Sequence, residues 1–536
     1  MAATALLTLL TSLASPTNLL WLMADDLGAG EPSFTSPGRM RTPNIDRLAA
    51  EGMQFSAAYA GYTVCAPSRA TFFTGRNSGR LAGAPGDFPL LPQLLKEAGY
   101  DTAAFGKSAP MDATQQVSTL KWGLPTTRGF TDYAGQTSQL YCHNMYPEEW
   151  TDGNQTAALP LNARGDKSRA HCMAHPAKFN YTTDLFADAA VAWLRGRSTR
   201  AAAALRPFFL YVSFTVPHAG GWSSAPKAEE QGAPVPHAMG YESHTHWPQV
   251  ERDHAASVTY LDARIGSLLD TLQECGLERS TAVFFASDNG AQQSLMTQSA
   301  AATARGHCPQ RPLPRALSAK SLSAPHCVRV CACVCACATG AHNEGGHDVS
   351  FFTSTGGLRG FKRSFYEGGV RSPSVLRWPG VTPAGSTSSV PWAFWDALPT
   401  LLEMAGSAAP VNATIDGRSI VPALRGEPME PPAYMYWTWR GAVGEDASPP
   451  ADGAEPSAPT AAAPGYAARV REWKAVVHSC ADEVRQQPSL RDAMELYNLT
   501  ADPFEQSDVA AAHPLITYEI KSLLARQDLS CECFQC

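Results

Sequence analysis

The chain has 536 residues, more than one ordinary domain needs, so we expect one large domain and a smaller second one. Its 44% hydrophobic and 17% charged residues are typical of a globular protein that buries a sizeable core. The formal net charge of −7 argues against non-specific binding of nucleic acid, and no apolar run reaches the roughly 20 residues that span a membrane. We therefore expect neither a nucleic-acid partner nor a transmembrane segment.

The N-terminal residues and the glycosylation sequons indicate the secretory pathway. Residues 1–15 resemble the apolar part of a signal peptide, although no basic residue precedes it, and a ragged N-terminus is the alternative. Asn-x-Ser/Thr sequons begin at Asn154, Asn180, Asn412 and Asn498. We expect the protein to be secreted or delivered to a lysosome- or vacuole-like compartment.

The first predicted strand ends in two acidic residues. Residues 18–24 are an almost continuous apolar run, which is typical of a strand buried on both faces. Asp25 and Asp26 follow it directly, at the end of a strand where α/β sheets place ligands. Adjacent carboxylates repel each other unless a cation compensates them, so both are candidate metal ligands, with a solvated turn as the alternative.

Cys65 lies at the start of a predicted helix. Pro67 and Ser68 suit the first helical turn, because a proline there lacks only an N–H that would be unpaired anyway. A helix N-terminus favours an anion, and Arg69 lies one turn along and can point back toward Cys65. A nucleophile beside a guanidinium suits attack at an oxyanion, whereas a buried free cysteine is the alternative.

Two further strands are predicted to end in basic side chains. Residues 102–105 lead into Lys107, and residues 207–215 lead into His218. A histidine at the end of such a strand can protonate a leaving oxygen near neutral pH. His218 is therefore a candidate general acid.

The sequence leaves the roles of three other histidines undecided. His143 lies in the polar, irregular residues 130–182, and such a loop at the ligand end of a sheet often lines the pocket, with a structural role as the alternative. His244 and His246 are weaker alternatives to His218.

Another pair of polar residues, one acidic and one amide, follows a strand later in the chain. Residues 281–287 predict a strand, and Asp288 and Asn289 stand directly after it. The helix expected before it, residues 254–274, has apolar residues at helical spacing, which we assign to the core.

The C-terminal part predicts a small mixed unit. Residues 434–439, 468–477 and 495–499 read as short strands, and residues 514–527 as a closing amphipathic helix. Residues 442–464 are rich in proline and alanine and predict a long loop.

The residues around Cys65 carry a specific motif. The pattern Cys-x-Pro-Ser-Arg, from Cys65 to Arg69, is followed by Thr-Gly-Arg at 74–76 and closely resembles the signature of the sulfatase family. The resemblance implies that a formylglycine-generating enzyme oxidises Cys65 to formylglycine, whose hydrated aldehyde provides the nucleophilic hydroxyl. The one departure is Phe73, where the family often has leucine and where a bulky apolar residue also fits.

The two acidic strand ends also match the family. Asp25 and Asp26 resemble its first metal-binding stretch, and Asp288 and Asn289 resemble its second. The resemblance implies that these four residues, with the formylglycine made from Cys65, bind a divalent cation. All-oxygen ligands favour calcium, with magnesium as the second choice.

The resemblance assigns roles to the basic residues as well. Lys107 and Lys362, which stands before a Glu-Gly-Gly stretch, would neutralise the sulfate oxygens. Arg69 would lower the cost of ionising the nucleophilic hydroxyl, and His218 would protonate the departing alcohol. These four residues complete the predicted catalytic and substrate-binding set.

One part of the family pattern is absent. Most members continue after the Gly-Lys pair with Trp-x-x-Gly or Trp-His-x-Gly, whereas residues 108–110 here are Ser-Ala-Pro. The histidine that helps to release sulfate in the best-known members is therefore missing at this place. Lys121, which precedes Trp-Gly-Leu, is a rival to Lys107, and we favour Lys107 because it follows a strand.

The resemblance covers nearly all of the chain and implies an alkaline phosphatase-like fold. This is an α/β fold with a large mixed β-sheet between helices and a smaller C-terminal α+β domain. We expect the catalytic domain at 17–428 and the small domain at 429–536. The implied activity is hydrolysis of a sulfate ester in a small molecule or glycan. A phosphodiesterase or phosphonate hydrolase of the same superfamily, and a non-catalytic anion-binding pseudo-enzyme, are the alternatives.

Residues 291–340 fit neither domain. In similar sulfatases Asp-Asn-Gly runs directly into a His-x-Glu-Gly-Gly stretch, which here resumes only after this segment. The segment has no amphipathic period, and cysteines alternate with other residues from Cys331 to Cys337, as in a translated dinucleotide repeat. We predict retained intron sequence, with a cysteine-rich loop or a metal-binding tract as alternatives. Elsewhere, Cys142 and Cys172 are candidates for a disulfide.

Overall fold

The computed structural model describes residues 17–81, 89–108, 110–111, 123–138, 142–163, 169–199, 206–220, 233–293, 346–408, 415–439, 465–478 and 494–527. The β-strands of these residues are β1 (Asn18–Asp25), β2 (Met53–Phe55), β3 (Ala58–Tyr59), β4 (Asp101–Lys107), β5 (Asp132–Gln136), β6 (Glu149–Asp152), β7 (Gln155–Ala158), β8 (Phe208–Pro217), β9 (Thr281–Ser287), β10 (Ser374–Arg377), β11 (Ser386–Ser388), β12 (Trp392–Ala393), β13 (Met435–Trp439), β14 (Gly465–Val470), β15 (Trp473–His478) and β16 (Met494–Asn498). The α-helices are α1 (Pro43–Glu51), α2 (Cys65–Thr74), α3 (Leu91–Glu97), α4 (Arg169–Ala174), α5 (Thr182–Ser198), α6 (Gln249–Glu274), α7 (Glu367–Val370), α8 (Ala397–Met404), α9 (Val421–Leu424) and α10 (Pro514–Gln527).

A large mixed sheet forms the centre of the molecule. Its strand order, within the described residues, is β11-β2-β10-β9-β1-β8-β4-β5-β6-β7. The strands β9, β1, β8, β4 and β5 run parallel to one another, while β10 and β6 join this block on either side in the antiparallel sense. Because parallel strands end at one edge, the residues that follow them meet there.

Strand β1 is buried on both faces, as its apolar run predicts. Leu20 and Leu22 belong to the core on one side of the sheet, and Leu19 and Trp21 to the core on the other. Successive strand residues point to opposite faces, so an unbroken apolar run is what a central strand requires.

Helices cover both faces of the sheet. The first core includes Leu48 of α1, Leu194 of α5 and Leu261 of α6, and the second includes Phe72 of α2 and Leu401 of α8. The fold class predicted from the sequence, a large mixed sheet between helices, is confirmed.

The C-terminal strands form a separate antiparallel sheet in the order β13-β14-β15-β16. Helix α10 packs on one face through Ile520 and Leu524, and the other face packs against the large unit through Trp437. The single strand predicted at 468–477 is wrong, because β14 and β15 form a hairpin here. Arg471 makes the turn at φ +54° without the glycine or proline that usually signals one.

The prediction of an irregular stretch at 130–182 is wrong in part. Strands β5, β6 and β7 extend the large sheet, and α4 and the start of α5 follow. The side chains of β6 and β7, the last two strands at this end of the sheet, are mostly exposed. These strands therefore lack the apolar alternation by which sequence reveals a strand.

Several predictions fall on residues that the structure does not describe. These are the signal-like residues 1–15, Lys121, and most of the segment 291–340, of which only residues 291–293 are described. Among the described residues, no helix is both long and apolar enough to cross a membrane.

Candidate active site

Four of the predicted polar strand ends meet at one edge of the large sheet. Asp25 ends β1, Lys107 ends β4, His218 follows β8, and Asp288 follows β9. All four side chains are buried, with at most 1% of each residue exposed. The parallel arrangement of these strands is therefore what brings together residues that lie far apart in sequence.

A tight turn after β1 connects Asp26 to Asp288 and Asn289 by hydrogen bonds. Asp26 has a φ of +65°, a left-handed conformation that bulky residues avoid, and its N–H donates to Asp288 Oδ1 at 3.1 Å. Asn289 Nδ2 donates to Asp26 Oδ1 at 2.6 Å. Gly290 follows in close contact with another backbone segment, since a Cβ there would lie 1.9 Å from the carbonyl oxygen of Gly368.

Cys65 is the first residue of α2 and faces this acidic cluster. Its Sγ lies 3.1 Å from Asp25 Oδ1 and 3.9 Å from Asp26 Oδ1. The helix is fixed over β1 by Phe72, whose ring centroid lies 4.5 Å from that of Trp21. Burial, followed by the negative charge of Asp25, raises the pKa of the Cys65 thiol well above its ordinary value, so the unmodified side chain is a neutral thiol.

Arg69 is fully buried one turn further along α2. Its Nε and Nη2 lie 2.9 Å and 2.7 Å from Asp288 Oδ2, and Nη2 lies 3.6 Å from Asp25 Oδ2. Its Nη1 donates to the hydroxyl of Ser213 on β8, a contact that no local sequence pattern indicates. The guanidinium therefore contacts the carboxylates beside Cys65, whereas the sequence predicted that it points toward the thiol itself.

Two lysine–histidine pairs lie on the acidic cluster. Lys107 Nζ donates to Asp25 Oδ2 at 2.9 Å and lies 3.0 Å from His143 Nε2. Lys362 Nζ lies 3.1 Å from Asp26 Oδ2 and 2.9 Å from His218 Nε2.

The two histidine rings of these pairs stack on each other. The ring centroids of His143 and His218 are 3.7 Å apart, at an interplanar angle of 5°. Sγ of Cys65 and a ring nitrogen of each histidine all lie within 4.8 Å of one another. His143 is thus part of the site, a position that the sequence left open because nothing local to residue 143 indicates it.

The other histidine candidates lie elsewhere. The rings of His244 and His246 pack against Trp247, at centroid distances of 4.4 Å and 6.1 Å. Cys142 and Cys172 are both buried and form no disulfide with each other, so the predicted pairing is wrong.

The acidic cluster has the features of a site for a hard cation. Asp25, Asp26, Asp288 and Asn289 supply carboxylate and amide oxygens, the ligands that calcium and magnesium prefer. Asn289 Oδ1 is buried and has no hydrogen-bond partner among the described residues. Burial, and then repulsion from Asp25 and Asp288 against the attraction of Lys362, raises the pKa of Asp26 to about 7. These residues therefore fit a divalent cation.

The charges of the buried site balance before any ligand is added. The carboxylates of Asp25, Asp26 and Asp288 contact the cations of Arg69, Lys107 and Lys362. A divalent cation would leave a positive surplus of two. Anionic ligands with two negative charges in total would neutralise this surplus.

Comparison with solved structures places the fold. A protein solved in complex with its substrate D-glucosamine-2-N,6-O-disulfate superposes with a TM-score of 0.60 at 18% identity, covering 97% of this chain and 98% of that one. The phosphonate monoester hydrolase of Agrobacterium radiobacter superposes with a TM-score of 0.54 at 18% identity, covering 95% of each chain. At these identities the likeness shows the shared alkaline phosphatase-like fold alone.

Sequence comparison identifies the family. N-acetylgalactosamine-6-sulfatase of Canis lupus familiaris is 27% identical over 460 residues, which cover 78% of this chain and 68% of that protein. Arylsulfatase A of Homo sapiens is 27% identical over 554 residues, covering 96% of this chain and 88% of that protein. The family model "Sulfatase" matches residues 17–407, well over half of the chain. The chain therefore belongs to the sulfatase family and is a sulfuric ester hydrolase.

Proposed function

We propose that this protein hydrolyses sulfate esters with a formylglycine made from Cys65 and a divalent cation, calcium, bound beside it. The observation that carries the proposal is the position of Cys65 Sγ at the start of α2. It lies 3.1 Å from Asp25 Oδ1 and within 4.8 Å of ring nitrogens of both His143 and His218. A hydroxyl at this place would stand between a cation site and two proton-transfer groups.

Asp25, Asp26, Asp288 and Asn289 would hold the cation, with an oxygen of the modified residue 65. The unpartnered Oδ1 of Asn289 and the raised pKa of Asp26 support this assignment. When bound, the cation lowers the cost of ionising a hydroxyl and of gathering negative charge on a sulfate group.

The lysines and Arg69 would stabilise the charge that develops at sulfur. Lys107 and Lys362 are buried beside Cys65, on either side of the stacked histidines, so both can neutralise sulfate oxygens. Arg69 is held by Asp288 and Asp25 and so keeps a fixed positive charge behind the nucleophile. Preorganised donors of this kind act strongly where water is excluded.

His218 would protonate the departing alcohol. Its Nδ1–H donates to the carbonyl oxygen of Ala219, which orients the ring and leaves Nε2 facing the site. Lys362 Nζ lies 2.9 Å from that Nε2 and can supply a proton to it. In the reaction the ionised hydroxyl oxygen of residue 65 forms a new S–O bond while the S–O bond to the alcohol breaks, and the departing oxygen takes the proton from Nε2.

His143 would take the place of the histidine that the chain lacks after Lys107. Release of sulfate needs a base that removes a proton from the second hydroxyl of residue 65, so that a carbonyl forms while the bond from carbon to the sulfate oxygen breaks and sulfate leaves with the electron pair. Burial, and then the positive charges of His218 and Lys107, hold the pKa of His143 well below its ordinary value. A histidine that stays neutral at neutral pH can accept that proton at Nε2.

We infer that the substrate is a sulfated sugar or another small sulfate ester. We also infer that the protein acts in the secretory pathway. The name of the relative N-acetylgalactosamine-6-sulfatase supports a sugar substrate. The exposed sequon at Asn154 and the signal-like residues 1–15 support the route.

The test is turnover of matched aryl sulfate, phosphate and phosphonate esters by protein co-expressed with a formylglycine-generating enzyme. We expect the sulfate ester to be preferred, and its turnover to be lost in Cys65→Ala and kept in Cys275→Ala, a control on a cysteine outside the site. Preference for the phosphonate or phosphate ester would favour the alternative hydrolases. No turnover of any ester by fully modified protein would favour the pseudo-enzyme.

A further inference from the structure

A second buried cluster of metal-type side chains lies outside the catalytic set. We propose that Glu31, His254 and His347 bind a transition-metal ion of the zinc type. Glu31 comes from the loop after β1, His254 from α6, and His347 from the segment that leads toward Lys362. The proposal does not depend on the function proposed above.

The three side chains converge on one point. His254 Nε2 lies 2.6 Å from Glu31 Oε1, and His347 Nε2 lies 3.3 Å from the same oxygen. One ligand atom from each residue lies within 4.8 Å of the other two, and all three residues are buried. The two imidazole rings stack at a centroid distance of 3.6 Å, so both present Nε2 toward the carboxylate.

Neighbouring groups hold the ligands in this orientation. His347 Nδ1 lies 3.1 Å from Glu251 Oε2, and the other oxygen of Glu251 accepts the N–H of Asp348 at 2.9 Å. Glu31 Oε2 accepts the N–H of Gly28 at 2.8 Å, which leaves Oε1 for the cluster. A carboxylate behind a histidine ligand is the usual way in which proteins fix a metal-binding imidazole.

The charge of the cluster also calls for a cation. Glu31 and Glu251 are both buried, and within the described part of the chain neither forms an ion pair with a lysine or arginine. A divalent ion bound at the three ligand atoms would compensate both carboxylates.

The ligand atoms of this cluster favour a different type of metal from the one expected at the catalytic site. Two imidazole nitrogens and one carboxylate are a known zinc ligand set, whereas calcium prefers oxygen ligands alone. The bound ion would tie α6 and the segment of His347 to the loop after β1. Gly30 in that loop also donates its N–H to the carbonyl oxygen of Ser354 at 2.8 Å, so the ion would stabilise a contact close to Asp26.

The test uses the full chain loaded with ZnCl₂ and then freed of loose metal by gel filtration. We expect about one zinc ion per chain by elemental analysis and an X-ray absorption shell of nitrogen and oxygen at about 2.0–2.1 Å without sulfur. His254→Gln and His347→Gln should lose this zinc and the rise in unfolding temperature that it causes. His244→Gln, on a histidine that packs against Trp247, should keep both.

Three results would overturn the proposal. They are protein that retains no zinc, a sulfur shell at about 2.3 Å that shows binding by cysteines, and zinc retained in both cluster variants. If the variants fail to fold, the absorption spectrum of the unaltered protein still decides, because it reports the ligand types directly.

Discussion

The protein buries ionic groups in two regions that differ in what lies beside the charges. One is the catalytic cluster, the buried site residues Asp25, Asp26, Asp288, Asn289, Arg69, Lys107 and Lys362 beside Cys65. The other is a junction network of Tyr59, Glu367, Arg371, Lys474 and Glu505 between the small sheet and the large unit. Lys474 Nζ lies 2.7 Å from Glu367 Oε1 and 3.3 Å from Glu505 Oε1. Tyr59 and Arg371 donate to Glu367 Oε2, at 2.9 Å from the hydroxyl and 3.0 Å from Nε.

In each region the carboxyl pKa values are shifted in both directions. Burial raises the pKa of Glu367, but Arg371 and Lys474 outweigh it, and the result lies well below the ordinary value. Burial raises the pKa of its neighbour Glu505 to about 7. In the catalytic cluster burial is outweighed by Lys107 and Arg69, which lower the pKa of Asp25, whereas burial raises the pKa of Asp26 to about 7. The direction of the pKa shifts therefore does not separate the regions; what separates them is that Cys65, His143 and His218 lie beside the catalytic carboxylates.

The largest expected effect on turnover comes from removing the divalent cation proposed to bind in the catalytic cluster. Asp25→Asn, or thorough chelation of the unaltered protein, should lower turnover about 10⁴-fold or more, because charge at the nucleophile and at sulfate then loses its main compensation. Turnover and bound calcium are measured together, with Asp270→Asn on an exposed carboxylate as the control. Full activity in protein shown by elemental analysis to be metal-free would contradict the account.

A substitution in the junction network should instead lower the stability of the folded protein. Lys474→Met leaves Glu367 and Glu505 buried without their shared cation, so we expect a loss of about 3–5 kcal/mol in the free energy of unfolding. The kcat of the folded fraction should stay nearly unchanged. Denaturant unfolding and kcat are compared with Glu519→Gln, which breaks an exposed ion pair with Arg471 and should cost less than about 1 kcal/mol. A loss of kcat without a loss of stability would erase the distinction between the two regions.

His143 tests whether the catalytic cluster includes the residue that replaces the missing histidine. His143→Gln should lower kcat about 10²-fold or more, as loss of a general base usually does, and leave the unfolding temperature nearly unchanged. His244→Gln is the matched control. Equal kcat in both variants would remove His143 from the mechanism.

The pH profile gives the same assignment a second readout. A base must be unprotonated, and the pKa of His143 lies well below its ordinary value of 6.5. Activity should therefore persist at pH 6.5 and fall only as the pH drops through that lowered pKa. The residual activity of His143→Gln should lack this acidic fall, and an unchanged profile would argue against the role of His143.

The smallest effect is expected at the segment that we predict to be retained intron sequence. Gln293 and His347 form a parallel β-bridge, so the ends of the segment between them meet. A variant lacking residues 294–340 should keep kcat within about twofold, since loop-closure cost depends only weakly on length. Sequencing of the transcript across this junction gives the direct answer. Native peptides from Cys331 to Cys337 would contradict the intron prediction.

Much of the catalytic cluster could be predicted because its residues follow strands. Apolar runs locate β1 and β9, and the residues directly after them are Asp26 and Asp288. The parallel sheet then brings these ends together, so the local pattern suffices. The same holds for Cys65, because Pro67 and the small residues beside it indicate a helix start.

The rest depends on contacts that no local pattern contains. His143 reaches the site from a loop after β5, and it contacts Lys107, 36 residues earlier in the chain. Glu31 and His254 are 223 residues apart in sequence and meet only because α6 packs beside the loop after β1. The hairpin of β14 and β15 was missed since Arg471 turns the chain without a typical turn residue.

The central claim is that residue 65 is formylglycine in the working enzyme, and mass spectrometry tests it most directly. The tryptic peptide 48–69 contains residue 65, and conversion makes it about 18 Da lighter than the cysteine form. Across preparations made with differing amounts of the formylglycine-generating enzyme, we predict that specific activity rises in proportion to the converted fraction. Full activity in protein whose peptide carries only unmodified Cys65 would contradict the account.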